Sequence, residues 1–233
     1  MDDAVHLRST VCLLGRFPAL AGLDLVVARG ETLLVRGANG AGKTTLLRAL
    51  AGLVPVVEGR AEVLGCDLRR DRRRVRPRVG LLGHGPALYD DLSVADNLRF
   101  WARAGRTRPA DLGAAMARFG LDGRLRDVLV ARLSAGQRRR AALAVLVART
   151  PELWLLDEPH AGLDAAGRDV LDELVREVTA AGATVVLASH ELERAAGLAT
   201  RSVTLAGGRV VDDGSRWPDA LAGPRRQEPV HVA

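Results

Sequence analysis

Short apolar runs recur along the chain, each closed by a glycine or a polar residue. TLLVRG (Thr32 to Gly37), ELWLLD (Glu152 to Asp157) and ATVVLAS (Ala183 to Ser189) show no apolar–polar alternation. Such runs predict strands buried on both faces. Between them the period changes to that of a helix: TTLLRALAGL (Thr44 to Leu53), PADLGAAMARFGL (Pro109 to Leu121, with Gly120 as its stop) and AAGRDVLDELVREVTAAG (Ala165 to Gly182) carry apolar residues at helical spacing. Residues from about 87 to 150 read as mainly helical. Val26 and Val27, followed by a turn at Arg29-Gly30-Glu31, predict an opening antiparallel region, and EGRAEVLGCD (Glu58 to Asp67) predicts a hairpin returning to it. SVTLAGGRVVDDG (Ser202 to Gly214) predicts a closing hairpin that turns at Gly207-Gly208. Strands alternating with helices imply an α/β fold, a mostly parallel sheet wrapped in helices. Residues 223–233 read as a frayed tail.

Composition changes this picture little. At 233 residues the chain can bury one sizeable core, and 48% hydrophobic residues is an ordinary globular share. Cys12 and Cys66 do not make a disulfide framework and read as reduced thiols. AALAVLVA (Ala141 to Ala148) is far shorter than the ~20 residues that cross a bilayer, and MDDAVHLRST at the start carries no secretory signal. The expectation is a chain on the cytoplasmic face of a membrane, held there through a partner.

Charge is more informative through its chemistry than its sum. The net charge is +6, yet aromatics are 3%, too few to supply stacking platforms, so no specific nucleic-acid partner is expected. The densest run, RRDRRRVRPR (Arg69 to Arg78), reads as a solvated loop face. Of 34 lysines and arginines, Lys43 is the one lysine. An ammonium is a compact point charge and guanidinium a wide planar fork, so the site that keeps the ammonium needs its shape.

Lys43 sits in GANGAGKTT (Gly37 to Thr45), the phosphate-binding P-loop pattern, between a predicted strand and a predicted helix. Glycines 37, 40 and 42 allow the backbone of Gly37, Ala38, Asn39, Gly40, Ala41 and Gly42 to wrap phosphates with its N–H groups. Lys43 is placed to reach the β- and γ-phosphates. Thr44 is placed to offer its hydroxyl to Mg²⁺, with Thr45 following in the same turn. In LLDEPHAGLD, Asp157 ends a buried strand beside the P-loop, where an acidic residue holds Mg²⁺; Glu158 is placed to take a proton from attacking water. In LSAGQ, Ser134 and Gln137 match a capping box, and the same helix start can instead face an anion. His190 directly follows a buried strand and is placed to contact a γ-phosphate.

In their order and combination these motifs resemble the ATP-binding subunits of ATP-binding-cassette (ABC) transporters over nearly the whole chain. GANGAGKTT resembles the Walker A motif, LLDEP the Walker B motif with its catalytic glutamate, and LSAGQ the family signature with Ala135 in place of glycine. AGLD (Ala161 to Asp164) resembles the D-loop and His190 the switch histidine. The resemblance implies a P-loop NTPase (RecA-like) core with an antiparallel β subdomain and an inserted helical subdomain at about 87–150, all within 1–222. It implies ATP and Mg²⁺, a head-to-tail dimer, and transmembrane permease subunits as partners. Ser134, Gly136 and Gln137 would meet the γ-phosphate held by the partner's P-loop. The family's glutamine between core and helical subdomain is absent, and His84 stands at the matching place. The family's adenine-stacking aromatic is replaced by Leu14, with Phe17 nearby. GHGPALYDDLSVADNLRFW, which holds three of the seven aromatics, is similar to the ATP-binding subunit of the haem-exporter complex of cytochrome c maturation. Other exporters (drug, lipid or polysaccharide) and a soluble cassette ATPase in translation or DNA repair are the alternative readings.

Overall fold

The computed structural model describes residues 3–83, 85, 87–104 and 112–214. His84 and the 223–233 tail therefore lie outside the described residues.

Two strands open the chain: β1 (Asp3–Leu14) and β2 (Phe17–Ala28), a long hairpin turning at Gly15-Arg16. With β4 (Glu58–Val63) and β5 (Cys66–Asp67) they form an antiparallel sheet in the order β2-β1-β4-β5. The second sheet holds β3 (Thr32–Arg36), β6 (Val79–Leu82), β7 (Leu153–Asp157), β8 (Thr184–Ala188), β9 (Arg201–Ala206) and β10 (Arg209–Gly214), in the order β10-β9-β3-β8-β7-β6. All its pairings are parallel except β10 with β9. The seven α-helices among the described residues are α1 (Lys43–Leu50), α2 (Leu68–Asp71), α3 (Val94–Ala104), α4 (Leu112–Arg118), α5 (Ala135–Arg149), α6 (Ala165–Ala180) and α7 (Leu192–Ala196).

The unalternating apolar runs are explained by burial on both sides. Leu33, Val35, Leu153, Leu155 and Val186 face α1 and the antiparallel sheet, where they meet Leu46, Leu47 and Leu50. Their neighbours Leu34, Trp154, Leu156, Val185 and Leu187 face the opposite way, against Leu98 of α3, Leu143 and Leu146 of α5, and Leu171 and Leu174 of α6. One helix, α1, is thus enclosed between two sheets, while the larger helices cover the other face. The apolar run 141–148 is the buried stretch of α5, and no described helix is long and apolar enough to cross a membrane.

Several boundaries differ from the sequence reading. VGLL of the linking segment is an edge strand, β6, paired with β7. Residues 119–134, read as helical, are mostly turns and short 3-10 segments. The helix expected from Pro109 is described from Leu112, and Gly120 follows it with φ +61°. Arg69–Arg78 is largely exposed, as a solvated face is expected to be, with Arg69, Arg70, Arg73, Arg74 and Arg76 open to solvent, but several of its groups also hold neighbouring segments. Asp67 caps α2 by accepting from the Arg69 N–H at 2.9 Å. Arg72 donates to the Leu53 carbonyl at 2.9 Å and Arg76 to the Gly52 carbonyl at 2.9 Å. Gly52 and Leu53 form the turn just past α1, and these guanidinium groups tie the α2 segment to that turn. Arg78 forms a bidentate pair with Glu152, at 2.6 and 2.7 Å, which holds the Glu152 carboxyl below its ordinary range.

The two thiols sit in different environments. Cys12 is fully buried, and desolvation pushes its thiol up to about 11, whereas Cys66 is partly exposed. Thiolate is the nucleophile, so iodoacetamide should label Cys66 in the native chain and Cys12 only after unfolding. Equal labelling rates, read by mass spectrometry, would contradict this packing.

Candidate active site

The loop after β3 can only be built from glycines at two of its positions. Gly37 has φ +141°, and a Cβ there would lie 2.3 Å from the Leu205 carbonyl oxygen; Gly42 has φ +107°, with the Ala19 carbonyl oxygen 2.7 Å away. Both positions thus demand a backbone that L side chains avoid and a space that a Cβ would fill. The loop is also tied to the end of the fold: the Gly208 N–H donates to the Ala41 carbonyl at 3.1 Å, and the Ala21 N–H to the Gly208 carbonyl at 3.0 Å. From Gly42 the chain enters α1 with no side-chain cap and no acidic residue in the first turn. Its first N–H groups and its positive dipole end are available to an anion.

Lys43 is 8% exposed, and its Nζ donates to the carbonyls of Gly37 at 2.7 Å and Ala38 at 3.1 Å. The Thr44 hydroxyl donates to Asp157 Oδ2 at 2.8 Å across the gap between α1 and β7. Asp157 ends its strand buried, and the chain then turns sharply. Glu158 has φ +47°, a conformation that costs a residue with a side chain roughly 1–3 kcal/mol. Its N–H donates to the Ala188 carbonyl at 2.8 Å. Its carboxylate meets the segment after β8: Oε2 accepts from the His190 N–H at 3.0 Å, and Oε1 lies 3.3 Å from His190 Nε2. A cavity of about 460 Å³ is lined by residues 39–45, Asp157, Glu158 and His190, with Leu14 and Ala19 on one wall. Three sequence-distant motifs therefore open on one space. Leu14 lines it; Phe17, 79% exposed at the hairpin tip, does not.

The LSAGQ segment stands elsewhere. Ser134 Oγ accepts from the Gln137 N–H at 3.2 Å, and Gln137 Oε1 accepts from the Ser134 N–H at 2.9 Å, a complete capping box. Neither residue lines the cavity, nor does Gly136, whose Cβ would meet the Gly162 carbonyl oxygen at 3.0 Å. The segment instead packs on the D-loop, where Arg140 lies 3.6 Å from Asp164.

Two polar clusters escaped the sequence reading. Arg139, in the run Arg138-Arg139-Arg140, is buried, and among the described residues its guanidinium donates to backbone carbonyls alone, including those of Asp157 and Glu158. Burial pushes its pKa down, and the charges of Asp157 and Glu158 push it back up. Its sign in the sequence was an arginine on the apolar face of a helix. His160 is buried with Nε2 2.8 Å from Asp172 Oδ1, and Asp172 Oδ2 accepts from Arg194 at 2.7 Å. That cluster joins the turn after Glu158 to α6 and α7.

Among the described residues no group of three or more His, Cys, Asp or Glu side chains gathers as a metal cage. The Thr44 hydroxyl and the Asp157 carboxylate are hard oxygens beside the P-loop, a set that fits Mg²⁺, which takes its remaining ligands from phosphates and water.

The sequence pattern of the ABC transporter family matches residues 20–161. The chain belongs to that family. This ABC transporter ATPase is 42% identical over 197 residues to the cytochrome c biogenesis ATP-binding export protein CcmA of Paramagnetospirillum magneticum, covering 81% of this chain and 88% of that one. It is 40% identical over 221 residues to the daunorubicin resistance ATP-binding protein DrrA3 of Streptomyces coeruleorubidus, covering 92% of this chain and 69% of that one. Among solved structures, an ATP-binding subunit of an ABC transporter superposes with a TM-score of 0.85 at 27% identity, covering 93% of this chain and 90% of that one. The dimeric post-hydrolysis cassette MJ0796 bound to ADP and phosphate shares the fold, with a TM-score of 0.81 at 22% identity, over 91% of this chain and 98% of that one. The expected fold class, P-loop NTPase core with an added antiparallel sheet and helices, is the one observed.

Replacing Lys43 with alanine should weaken ATP binding by about 100-fold or more, since each hydrogen bond from a charged donor contributes ~1.5–3 kcal/mol. Unchanged affinity by calorimetry would remove Lys43 from the site.

Proposed function

We propose that this ABC ATPase powers a membrane export complex for haem in cytochrome c biogenesis, as a homodimer on the cytoplasmic face beneath transmembrane permease subunits. The observation that carries the catalytic half of this reading is the single cavity uniting Lys43, Thr44, Asp157, Glu158 and His190. The export half is supported by the likeness to CcmA, a cytochrome c biogenesis ATP-binding export protein. We read 1–222 as one ATP-binding domain, with the region of about 87–150 as its helical insertion.

In the mechanism, the P-loop amides and the start of α1 bind the phosphates of ATP. Lys43 exchanges its bonds to the Gly37 and Ala38 carbonyls for phosphate oxygens. Thr44 and Asp157 would hold Mg²⁺, which supplies charge neutralisation at the β- and γ-phosphates. Glu158 accepts a proton from a water aligned with the γ-phosphorus. The new P–O bond forms as the bridging β–γ bond breaks, and the bond's electron pair leaves with ADP. His190 holds the Glu158 carboxylate in position and faces the γ-phosphate. Ser134, Gly136 and Gln137 lie outside their own chain's cavity, and in the head-to-tail dimer they close the partner's. His84 belongs to this reading as a nucleotide-site residue, whose neutral imidazole would accept a hydrogen bond from Mg²⁺-bound water.

A second reading, export of a drug, draws on the 40% identity to a daunorubicin resistance protein. Glu158→Gln tests the first part: turnover should fall about 100- to 10,000-fold, the usual contribution of a general base, while ATP binding persists and traps a dimer. Wild-type turnover by that variant would overturn the general-base assignment. Purified from its own membranes with ATP, the trapped form should bring down haem-handling membrane subunits. Recovery of a drug exporter would replace haem as the cargo, and recovery of ribosomes or DNA would replace the export reading with that of a soluble cassette ATPase.

A further inference from the structure

The turn that presents Glu158 is strained, and the structure shows what holds it. Arg139 lies on α5, five residues after Ser134, and is 7% exposed. Among the described residues no carboxylate forms an ion pair with its guanidinium. Instead Nη2 donates to the Asp157 carbonyl at 2.9 Å and to the Glu158 carbonyl, Nη1 to the Gly83 carbonyl at 2.7 Å, and Nε to the Pro159 carbonyl at 3.4 Å. A charge buried this deeply is costly unless its hydrogen bonds are satisfied, and here they are satisfied by four backbone carbonyls, three of them in the turn that carries Glu158.

We propose that Arg139 is a positioning residue for ATP hydrolysis: it fixes the backbone that aims Glu158 and ties that backbone to the helix beginning at Ser134. The inference rests on the reading of Glu158 as general base. The Glu158 N–H is held by Ala188 and its carbonyl by Arg139, so the peptide groups on both sides are pinned and φ stays at +47°. Without the second pin, Glu158 relaxes toward an ordinary conformation, and its carboxylate swings away from His190. The fork shape is what matters. Guanidinium is planar and reaches Gly83 on one side and Asp157 and Glu158 on the other, whereas an ammonium is a point donor. Because α5 also carries the signature segment, a shift of that segment on the partner's nucleotide is transmitted through Arg139 to Glu158 and, through Gly83, to the segment that leads toward the helices.

Arg139→Lys is the informative variant, since it keeps charge and most of the reach and spares the fold. In the full-length chain, kcat should fall about 10- to 100-fold, the scale of loss for a misplacement near 1 Å. KM, ATP affinity by calorimetry and thermal midpoint should stay near wild type. Arg139→Met should lose at least as much kcat, and where it fails to fold the lysine variant still decides. In a Glu158→Gln background, Arg139→Lys should cost no further turnover, because a carboxylate that is gone cannot be misaimed. Wild-type kcat for Arg139→Lys beside a stalled Glu158→Gln overturns the positioning role alone. Parallel losses of kcat, ATP affinity and thermal midpoint, or losses that multiply in the double variant, reduce Arg139 to scaffold. Full turnover by Glu158→Gln overturns the general-base reading and this inference with it.

Discussion

The parallel sheet must bury both of its faces, and the site follows from that constraint. Leu33 and Val35 face one side of β3 and Leu34 the other, with the same division along β7 and β8. A one-residue slip of such a strand would send each side chain to the opposite face and break the packing of both. The strand ends are therefore fixed in space. Those of β3, β7 and β8 lie side by side, and they deliver the P-loop, Asp157 with Glu158, and His190 to one cavity. The chemistry sits where hydrophobic packing can no longer choose the conformation, so polar contacts choose it instead.

Those contacts are unequal. Thr44 with Asp157, and Glu158 with His190, are direct side-chain interactions facing the cavity. Behind them lie buried groups: Arg139 against four backbone carbonyls, and His160 with Asp172, which the half-buried Arg194 joins to Asp169 at the surface. The surface ion pairs elsewhere, such as Arg99 with Asp96, are exposed and contribute little.

The P-loop, the acidic strand end and the capping box could be read in the sequence because each is local, a spacing of residue types within one turn or strand. The two-sided strands were equally legible, since burial on both faces leaves its mark as an unbroken apolar run. What escaped was non-local. The bonds made by the arginines at 72, 76 and 78 could not be read, because their acceptors, Gly52, Leu53 and Glu152, come from other segments. Arg139 stands in a run of three arginines, and only the packing of α5 singles it out as the buried one. VGLL, too short to announce itself, became a strand only by lying against β7. The roles given to Ser134, Gly136 and Gln137 depend on a second copy, so their own chain's geometry shows only a helix cap.

The hairpin of β9 and β10 lies near the end of the described chain, yet it completes a loop built from residues 37–42. Gly208 bridges Ala41 and Ala21, and a Cβ on Gly208 would meet the Ala19 carbonyl oxygen at 2.6 Å. Both neighbours of β3 in the sheet, β8 and β9, are also late segments. On a ribosome, then, the phosphate loop emerges early but stays without its walls until residue 208 has been made and has cleared the exit tunnel. A product cut short of residue 205 carries the whole GANGAGKTT sequence but lacks the Leu205 and Gly208 backbone against which that loop is packed.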